Sequence, residues 1–238
     1  MQTRLGPAIP RRAEAAVREA LGDTRVVLVN GARQSGKSTL VRLAAKNSDA
    51  EWRDLDTALN RQAALADPDG FVDFPGLMVI DEIQRAPELL LSIKARVDVD
   101  PRPGQFLLTG SARVLGVRSL PDSLVGRMET IELWPFSQGE IDSGPDGFID
   151  AAFALGDALR HSSTLARSEY AERLLRGGFP EAVARTNDRR RRAFFDSYVG
   201  DLIARDIQQL TEIERTAECR ISCACRPPDP ADCCRSPP

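Results

Sequence analysis

The segment Gly31–Ser38 constrains the fold of this chain more than any other part of its sequence. It fits the pattern G-x-x-x-x-G-K-[ST] at every fixed position. Residues 25–30, directly before it, form a continuous β-branched and apolar run that predicts a fully buried parallel strand. From Lys37 to about Lys46, apolar residues recur at the spacing of a helix. A glycine loop between a strand and a helix suits phosphate binding, because the loop N–H groups and the helix N-terminus both point at phosphate oxygens.

This loop predicts a binding site for the phosphates of ATP or GTP. Lys37 would reach the β- and γ-phosphates, and the Ser38 hydroxyl would ligate Mg²⁺. The backbone of the other loop residues would surround the phosphates; these residues are Gly31, Ala32, Arg33, Gln34, Ser35 and Gly36. A chance glycine loop is the alternative, but the flanking strand and helix argue against it.

A second apolar strand, Leu77–Asp81, delivers two neighbouring carboxylates, Asp81 and Glu82, at its carboxyl end. Open α/β sheets bind their ligands at the carboxyl ends of the strands, so this pair is predicted to lie beside the phosphate loop. Asp81 would hold the Mg²⁺ shell, and Glu82 would orient and activate the attacking water, as in a Walker B motif. A simple acidic strand end or helix cap is the alternative, and the glycine loop upstream favours the functional interpretation.

Three further residues are candidates for the same site. Thr109 and Ser111 close another buried strand, so their hydroxyls are expected at the same sheet edge, where a γ-phosphate sensor would sit; an ordinary polar turn is the alternative. Arg127 could act as an arginine finger, either in cis or from a neighbouring subunit. Because the chain contains 29 arginines, a surface role for Arg127 stays open.

Strands alternate with helices along the first part of the chain, which indicates a parallel sheet. Beyond the first strand, strands are predicted at about residues 51–55, 77–81, 105–109 and 128–133, and later helices at about 147–159, 168–175 and 189–210. The predicted fold class is α/β: a P-loop NTPase with a parallel five-stranded sheet flanked by helices, followed by a small helical domain. The predicted division is a core over residues 1–137, a helical lid or linker over 138–218 and a tail over 219–238.

Composition and isolated residues give little support to several other functions. The formal net charge of −3 gives no bulk electrostatic argument for nucleic-acid binding. No stretch approaches the roughly 20 apolar residues of a membrane helix, and no secretory signal is recognisable, so the protein is predicted to be cytoplasmic with no membrane partner. His161, the single histidine, has no recognisable partner for a zinc site or a catalytic dyad. The run Arg189–Arg192 fits phosphate binding but favours a solvated helix face.

Several longer motifs carry a family resemblance over about residues 10–218. They are the loop Asn30–Thr39, then Val79–Glu88, Phe106–Ala112, Leu124–Arg127, Leu133–Glu140, Arg176–Glu181 and Tyr198–Asp206. With these motifs the chain resembles the AAA+ superfamily, and more narrowly a bacterial and archaeal family of predicted ATPases that carry a C-terminal domain of unknown function.

The resemblance has implications for the sheet and the nucleotide. It implies that residues 1–137 are the ATPase core, and that the strand ending at Thr109 lies between the loop strand and the strand ending at Asp81. Thr109 and Ser111 would then face the γ-phosphate, and Thr39 would join the nucleotide-binding residues. ATP with Mg²⁺ is expected rather than GTP, because no N-K-x-D or similar guanine-reading motif is found.

The end of the chain departs from the family pattern. Members of the family continue for well over a hundred residues with a DNA-binding-like helical module, whereas residues 219–238 contain five Cys and five Pro and no apolar periodicity. A frameshift near codon 218 or 219 is therefore hypothesised, which would leave a truncated chain with an aberrant, disordered tail. A Cys-rich metal-binding tail is the alternative, and it lacks the paired C-x-x-C spacings of a zinc site.

Three functions follow from these predictions. The first is an ATPase whose hydrolysis switches a protein or nucleic-acid partner, which the missing C-terminal region would handle. The second is a nucleotide-binding fragment that is catalytically inert because it is truncated. The third is a P-loop small-molecule kinase, which the water-activating pair Asp81 and Glu82 argues against. Self-association would be required if Arg127 acted on a neighbouring subunit.

Overall fold

A computed structural model describes residues 2–3, 6–111, 124–144, 147–160 and 162–203. The strands of this part are β1 Gln2–Thr3, β2 Gly6–Pro7, β3 Val26–Asn30, β4 Ala50–Asp54, β5 Leu77–Asp81, β6 Phe106–Gly110 and β7 Met128–Glu132. Its first helices are α1 Ala13–Asp23, α2 Lys37–Ala44, α3 Ala58–Ala66, α4 Pro68–Phe71 and α5 Leu89–Val99. The later helices are α6 Gln138–Asp142, α7 Phe148–Leu155, α8 Arg167–Arg176, α9 Pro180–Val183 and α10 Asp188–Leu202. Short 3₁₀ turns cover Ile83–Arg85 and Gly156–Ala158.

Five of the strands form one parallel sheet in the order β4-β5-β6-β3-β7. Val26 of β3 lies opposite Phe106 on one side and Met128 on the other. Asp54 and Asp81 lie opposite each other at the carboxyl ends of β4 and β5. The order confirms the predicted five-stranded parallel sheet, including β6 between β3 and β5. The carboxyl ends of β3, β5 and β6 therefore meet at one edge.

The two faces of the sheet are covered by different helices, because successive strand residues point to opposite sides. Val27 and Val29 pack on one face with buried residues of α1 and α2, such as Val17 and Leu40. The other face packs against the segment from α3 to α5. The core between them includes the strand residues Val26, Leu28, Met78, Ile80, Phe106 and Leu108 and the α5 residues Leu89, Ile93 and Val97. β3 and β6 are buried over their whole length, which explains their continuous apolar sequence.

Some elements differ from the sequence-based expectations. The short helix α4 was not predicted; Asp67 caps its first turn by accepting a hydrogen bond from the Gly70 N–H at 2.9 Å. Helices α6 and α9 were not predicted. Ser137 caps α6 in a reciprocal capping box with Glu140. Among the described residues, no helix combines the length and apolar character needed to cross a membrane.

The chain divides into two compact units, residues 1–184 and residues 185–238. The first holds the sheet and helices α1 to α9. In the second, α10 carries the ring of Phe194 close to Tyr198, and the Arg185 guanidinium stacks over Phe194. The predicted division at residue 137 into a core and a lid stays a prediction. His161 and the tail 219–238 lie outside the described residues, so the predictions made for them stay untested.

Candidate functional site

The loop between β3 and α2 is shaped by residues that tolerate unusual backbone positions. A side chain at Gly31 would clash with the carbonyl oxygen of Leu133, so no larger residue fits there. Gly36 has φ of 98° and Gln34 has φ of 60°, both in the left-handed region, which glycine enters without steric cost. The loop therefore turns tightly and delivers the chain to the first turn of α2 at Lys37. The first N–H groups of a helix have no acceptor within the helix, and at the start of α2 they lie where the loop ends.

Lys37 lies folded against the inside of this loop. It is only 5% exposed, and its Nζ donates hydrogen bonds to the carbonyl oxygens of Gly31 at 3.1 Å and Ala32 at 2.9 Å. Burial lowers the pKa of Lys37, and the nearby carboxylates of Glu82 and Asp81 partly oppose that effect. The ammonium is thus held beside the loop backbone and close to two acidic groups.

Asp81 joins the ends of three elements. Its Oδ1 accepts a hydrogen bond from Ser38 Oγ at 3.0 Å and another from Thr109 Oγ1. The backbone N–H of Glu82 donates to Thr109 Oγ1 at 3.0 Å. The first turn of α2 and the ends of β5 and β6 are therefore linked through side chains. A carboxylate beside a serine hydroxyl is the oxygen donor set that Mg²⁺ takes at phosphate-binding loops.

Glu82 follows Asp81 in a left-handed conformation with φ of 62°. Such a position costs roughly 1–2 kcal/mol for a residue with a side chain. Residues held in such conformations cluster at functional sites, where their surroundings maintain them. The Glu82 carboxylate accepts a hydrogen bond from Gln84 Nε2, and Gln84 Oε1 in turn accepts from the Ser111 N–H at 3.4 Å.

A buried arginine, Arg11, links the loop to the segment after β7 through hydrogen bonds. The Arg11 guanidinium donates to the carbonyl of Ser35 at 3.0 Å, to the carbonyl of Trp134 and to Glu140 Oε1 at 3.2 Å. It also stacks over the Phe136 ring at 4.5 Å. Burial lowers the pKa of Arg11, while Glu140 acts in the opposite direction. Arg11 thereby fastens the loop backbone to the segment that follows β7.

A family model described as AAA domain matches residues 23–142, which is half of the chain. The chain belongs to the AAA domain family. A second model, a domain of unknown function (DUF8612), matches residues 167–222. Together the two matches confirm the resemblance to AAA+ ATPases with a C-terminal domain of unknown function.

Proteins with related sequences or folds are also known. The uncharacterized proteins Mb2031c of Mycobacterium bovis and Rv2008c of Mycobacterium tuberculosis are each 32% identical over 202 residues. The match covers 84% of this chain and 40% of each relative, so the chain spans about 40% of the length of these relatives. The Walker-type ATPase PABY2304 of Pyrococcus abyssi has a TM-score of 0.51 at 16% identity, over 85% of this chain and 75% of that one. That likeness shows a shared P-loop ATPase fold.

The AAA domain brings most of the predicted site residues together and leaves one apart. Lys37, Ser38, Asp81, Glu82 and Thr109 are joined by the contacts above, and Ser111 reaches the group through the Gln84 amide. Thr39 lies half-buried in the first turn of α2, and Arg33 and Gln34 lie in the loop.

Arg127 lies away from this group. It precedes β7, and its carbonyl accepts from the N–H of Val26 at the opposite end of β3 from the loop. The length of β3 separates the two ends by about 13 Å. Its guanidinium makes two hydrogen bonds to the Asp98 carboxylate and thereby lowers the pKa of Asp98. The structure therefore does not place Arg127 at the phosphate loop of its own chain.

Neither Arg11 nor Gln84 was predicted from the sequence to belong to the site. Gln84 stands inside the motif Val79–Glu88, but nothing in that motif assigns it a contact. Arg11 contacts Ser35 and Glu140, which lie 24 and 129 positions away in the sequence, and no local pattern signals such contacts.

The arginine run Arg189–Arg192 lies in α10. Arg191 is buried and pairs with Asp188 at 2.7 Å, while the other three arginines of the run are exposed.

Proposed function

We propose that this AAA domain binds ATP and hydrolyses it with Mg²⁺. The observation that carries the proposal is the contact between Ser38 Oγ and Asp81 Oδ1 at 3.0 Å, with the Glu82 carboxylate next along the chain. It joins the phosphate loop to two carboxylates at one sheet edge. That combination suits phosphoryl transfer to water better than transfer to another acceptor.

The loop fits a phosphate group. Ser35 Oγ is fully buried and has no hydrogen-bond partner among the described residues, and the same holds for the Ser111 hydroxyl, whose residue is 5% exposed. Buried polar atoms normally have a partner, so these two hydroxyls are available to a ligand. Glycine is required at Gly31, where the Leu133 carbonyl approaches closely, and it is favoured at Gly36, which is left-handed, so both positions suit a tight phosphate loop. Lys37 supplies the positive charge.

Ser38 and Asp81 fit a magnesium ion. Mg²⁺ prefers hard oxygen ligands and is commonly held by one or two protein groups together with substrate phosphates. The ion would supply charge neutralisation at the phosphates when bound. Around it, Lys37 would hold the β- and γ-phosphates, and Glu82 would accept a proton from the attacking water. Thr109 holds Asp81 in place through its hydroxyl.

A cavity of about 330 Å³ lies one side chain away from the loop, and we propose that it takes the nucleoside. It is lined by residues 10–12, Gly139, Glu140, Ser143 and Gly144. Its volume falls at the lower end of the range of roughly 300–1,000 Å³ for small-molecule sites. Arg11 lines this cavity and also contacts the Ser35 carbonyl, so the cavity is one side chain away from the phosphate loop.

The use of the hydrolysis energy belongs to the same proposal. We expect it to switch a protein or nucleic-acid partner. A role for Arg127 in a neighbouring subunit would require self-association, because Arg127 lies at the far sheet edge of its own chain. A Mg²⁺ dependence and the choice of ATP over GTP are likewise proposed.

Steady-state ATP hydrolysis tests the proposal directly. Glu82→Gln removes the proton acceptor and should lower kcat about 100-fold or more, the usual range for a general base. Lys37→Ala removes the buried cation and should weaken ATP binding as well. Matched controls on exposed residues, Lys46→Ala and Glu88→Gln, should keep wild-type rates.

Each other outcome has a distinct meaning. If the wild-type chain hydrolyses ATP no faster than Glu82→Gln, the ATPase proposal is wrong. Tight ATP binding without turnover would support an inert nucleotide-binding fragment. Phosphate appearing on an added small-molecule acceptor instead of in solution would support a kinase.

A further inference from the structure

The 3₁₀ turn after Glu82 is fixed at both ends. Ile83 is fully buried in the core beneath the sheet, and the N–H of Arg85 donates to the Glu82 carbonyl at 2.9 Å. The Arg85 side chain pairs with Asp56 on the other side of the turn. These contacts leave Gln84, between them, with a defined position next to the predicted hydrolytic group.

The Gln84 amide uses both of its ends. Its Nε2 donates to Glu82 Oε2, and its Oε1 accepts from the Ser111 N–H at 3.4 Å. Ser111 directly follows β6, the strand that also carries Thr109. A single neutral side chain thus bridges the Glu82 carboxylate and the end of the neighbouring strand.

The Glu82 carboxylate depends on this bridge for its orientation. Glu82 stands in a left-handed backbone position, which turns its side chain away from the direction that a strand residue would have. Among the described residues, Gln84 is the side chain that donates a hydrogen bond to this carboxylate. An amide suits the task, because it donates without competing as a base and without adding charge.

We propose that Gln84 is a positioning residue for ATP hydrolysis, which orients the Glu82 carboxylate toward water and ties that orientation to Ser111 at the end of β6. This inference rests on the proposed function, because it assigns Gln84 a part in the water activation assigned to Glu82. A displacement of Ser111 at the end of β6 would therefore shift the Glu82 carboxylate through the Gln84 side chain.

Two substitutions distinguish the hydrogen bond that the amide donates from the one that it accepts. Gln84→Met keeps the length of the side chain and removes both hydrogen bonds. Gln84→Glu keeps the shape and the acceptor for Ser111, but it replaces the donor to Glu82 with a second negative charge. If Gln84 served packing alone, Gln84→Glu would be the milder change, because its shape is retained.

If Gln84 positions Glu82, Gln84→Glu should instead lower kcat more than Gln84→Met does. We expect kcat to fall about 10-fold in Gln84→Met and further in Gln84→Glu, with KM for ATP within about twofold of wild type in both, since the loss concerns the transition state. Gln62→Met, on an exposed face of α3, is the control and should keep wild-type kcat. Wild-type kcat in both Gln84 variants, or the milder effect in Gln84→Glu, would overturn the proposal.

Amide hydrogen exchange supplies a readout that does not depend on turnover. Exchange at Ser111 should become about fivefold faster in Gln84→Met, as for the loss of a hydrogen bond of about 1 kcal/mol. It should stay near the wild-type rate in Gln84→Glu, which keeps the acceptor. Equal exchange in all three chains would overturn the link to β6.

The two proposals fail in different ways. If the wild-type chain hydrolyses ATP, Glu82→Gln abolishes hydrolysis and the Gln84 variants match wild type, only the role of Gln84 is wrong. If the wild-type chain shows no hydrolysis, both proposals are wrong, whatever the exchange rates show about the contact.

Discussion

The ion pair between Arg11 and Glu140 gives a quantitative test of how the loop is held. The two side chains are 6% and 8% exposed and lie 3.2 Å apart. Removing one partner of a buried pair costs about 3–5 kcal/mol, because the other charge stays buried. In Arg11→Met, however, Glu140 keeps the N–H donors of Arg12 at 2.9 Å and Ser137 at 3.0 Å. We therefore expect a loss near the lower limit, about 3 kcal/mol.

The backbone acceptors of Arg11 lead to the same value. The Ser35 carbonyl lies in a fully buried residue and would lose its donor, which costs about 1–3 kcal/mol. The hydrogen bond to the Trp134 carbonyl is only partly buried, so its loss should cost less than the loss at Ser35. In Glu140→Gln, the new amide still serves the capping box, so we expect a smaller loss of about 1.5 kcal/mol.

Urea unfolding of the two single variants and the double variant measures the pair. The loss of about 3 kcal/mol corresponds to a decrease in Tm of roughly 6–12 °C for a chain of this size. The double variant should be more stable than the sum of the single losses implies, by about 1–2 kcal/mol, because it leaves no buried charge unpaired. Arg102→Met, in an exposed pair with Asp100, is the control and should cost less than about 1 kcal/mol. A loss under 1 kcal/mol in Arg11→Met, or additive losses, would refute this reasoning.

Two further predictions concern the loop. Gly31→Ala should destabilise the protein by several kcal/mol or displace the loop, because its new side chain meets the Leu133 carbonyl, whereas Gly22→Ala in α1 has free space and should be neutral or stabilising by thermal melting. Burial lowers the pKa of Lys37, so between that lowered pKa and its ordinary value of 10.5 the unfolded chain binds more protons than the folded one. The unfolding free energy of wild type relative to Lys37→Met should therefore rise with pH through that window, and a difference independent of pH would contradict the assignment.

The features that were predicted from the sequence depend on short segments. The strand, loop and helix around Gly31–Ser38 are contiguous, so their pattern is complete within about twenty residues. The parallel sheet follows from the alternation of apolar strands and helices. The position of β6 between β3 and β5 was predicted from the family resemblance, because the spacing of strands along the sequence does not determine their order in the sheet.

Two of the features that were not predicted depend on contacts between residues in different elements of the fold. Arg11 reaches Glu140 across the chain, and Gln84 reaches Ser111 across two strand ends, so neither contact leaves a local pattern. The helix α6 was predictable from a local signal, the capping box formed by Ser137 and Glu140. The location of Arg127 was also predictable, because a residue that precedes a parallel strand lies at the sheet edge opposite the carboxyl ends.

A crystal structure with Mg²⁺ and a non-hydrolysable ATP analogue is the most direct test of the central claim, that the loop Gly31–Ser38 holds the phosphates. The proposal predicts phosphate oxygens within hydrogen-bond distance of the loop N–H groups and of Lys37 Nζ. It also predicts a metal ion at Ser38 Oγ, with Asp81 beside it. An analogue bound elsewhere on the chain, or a metal ion away from Ser38 and Asp81, would contradict the claim.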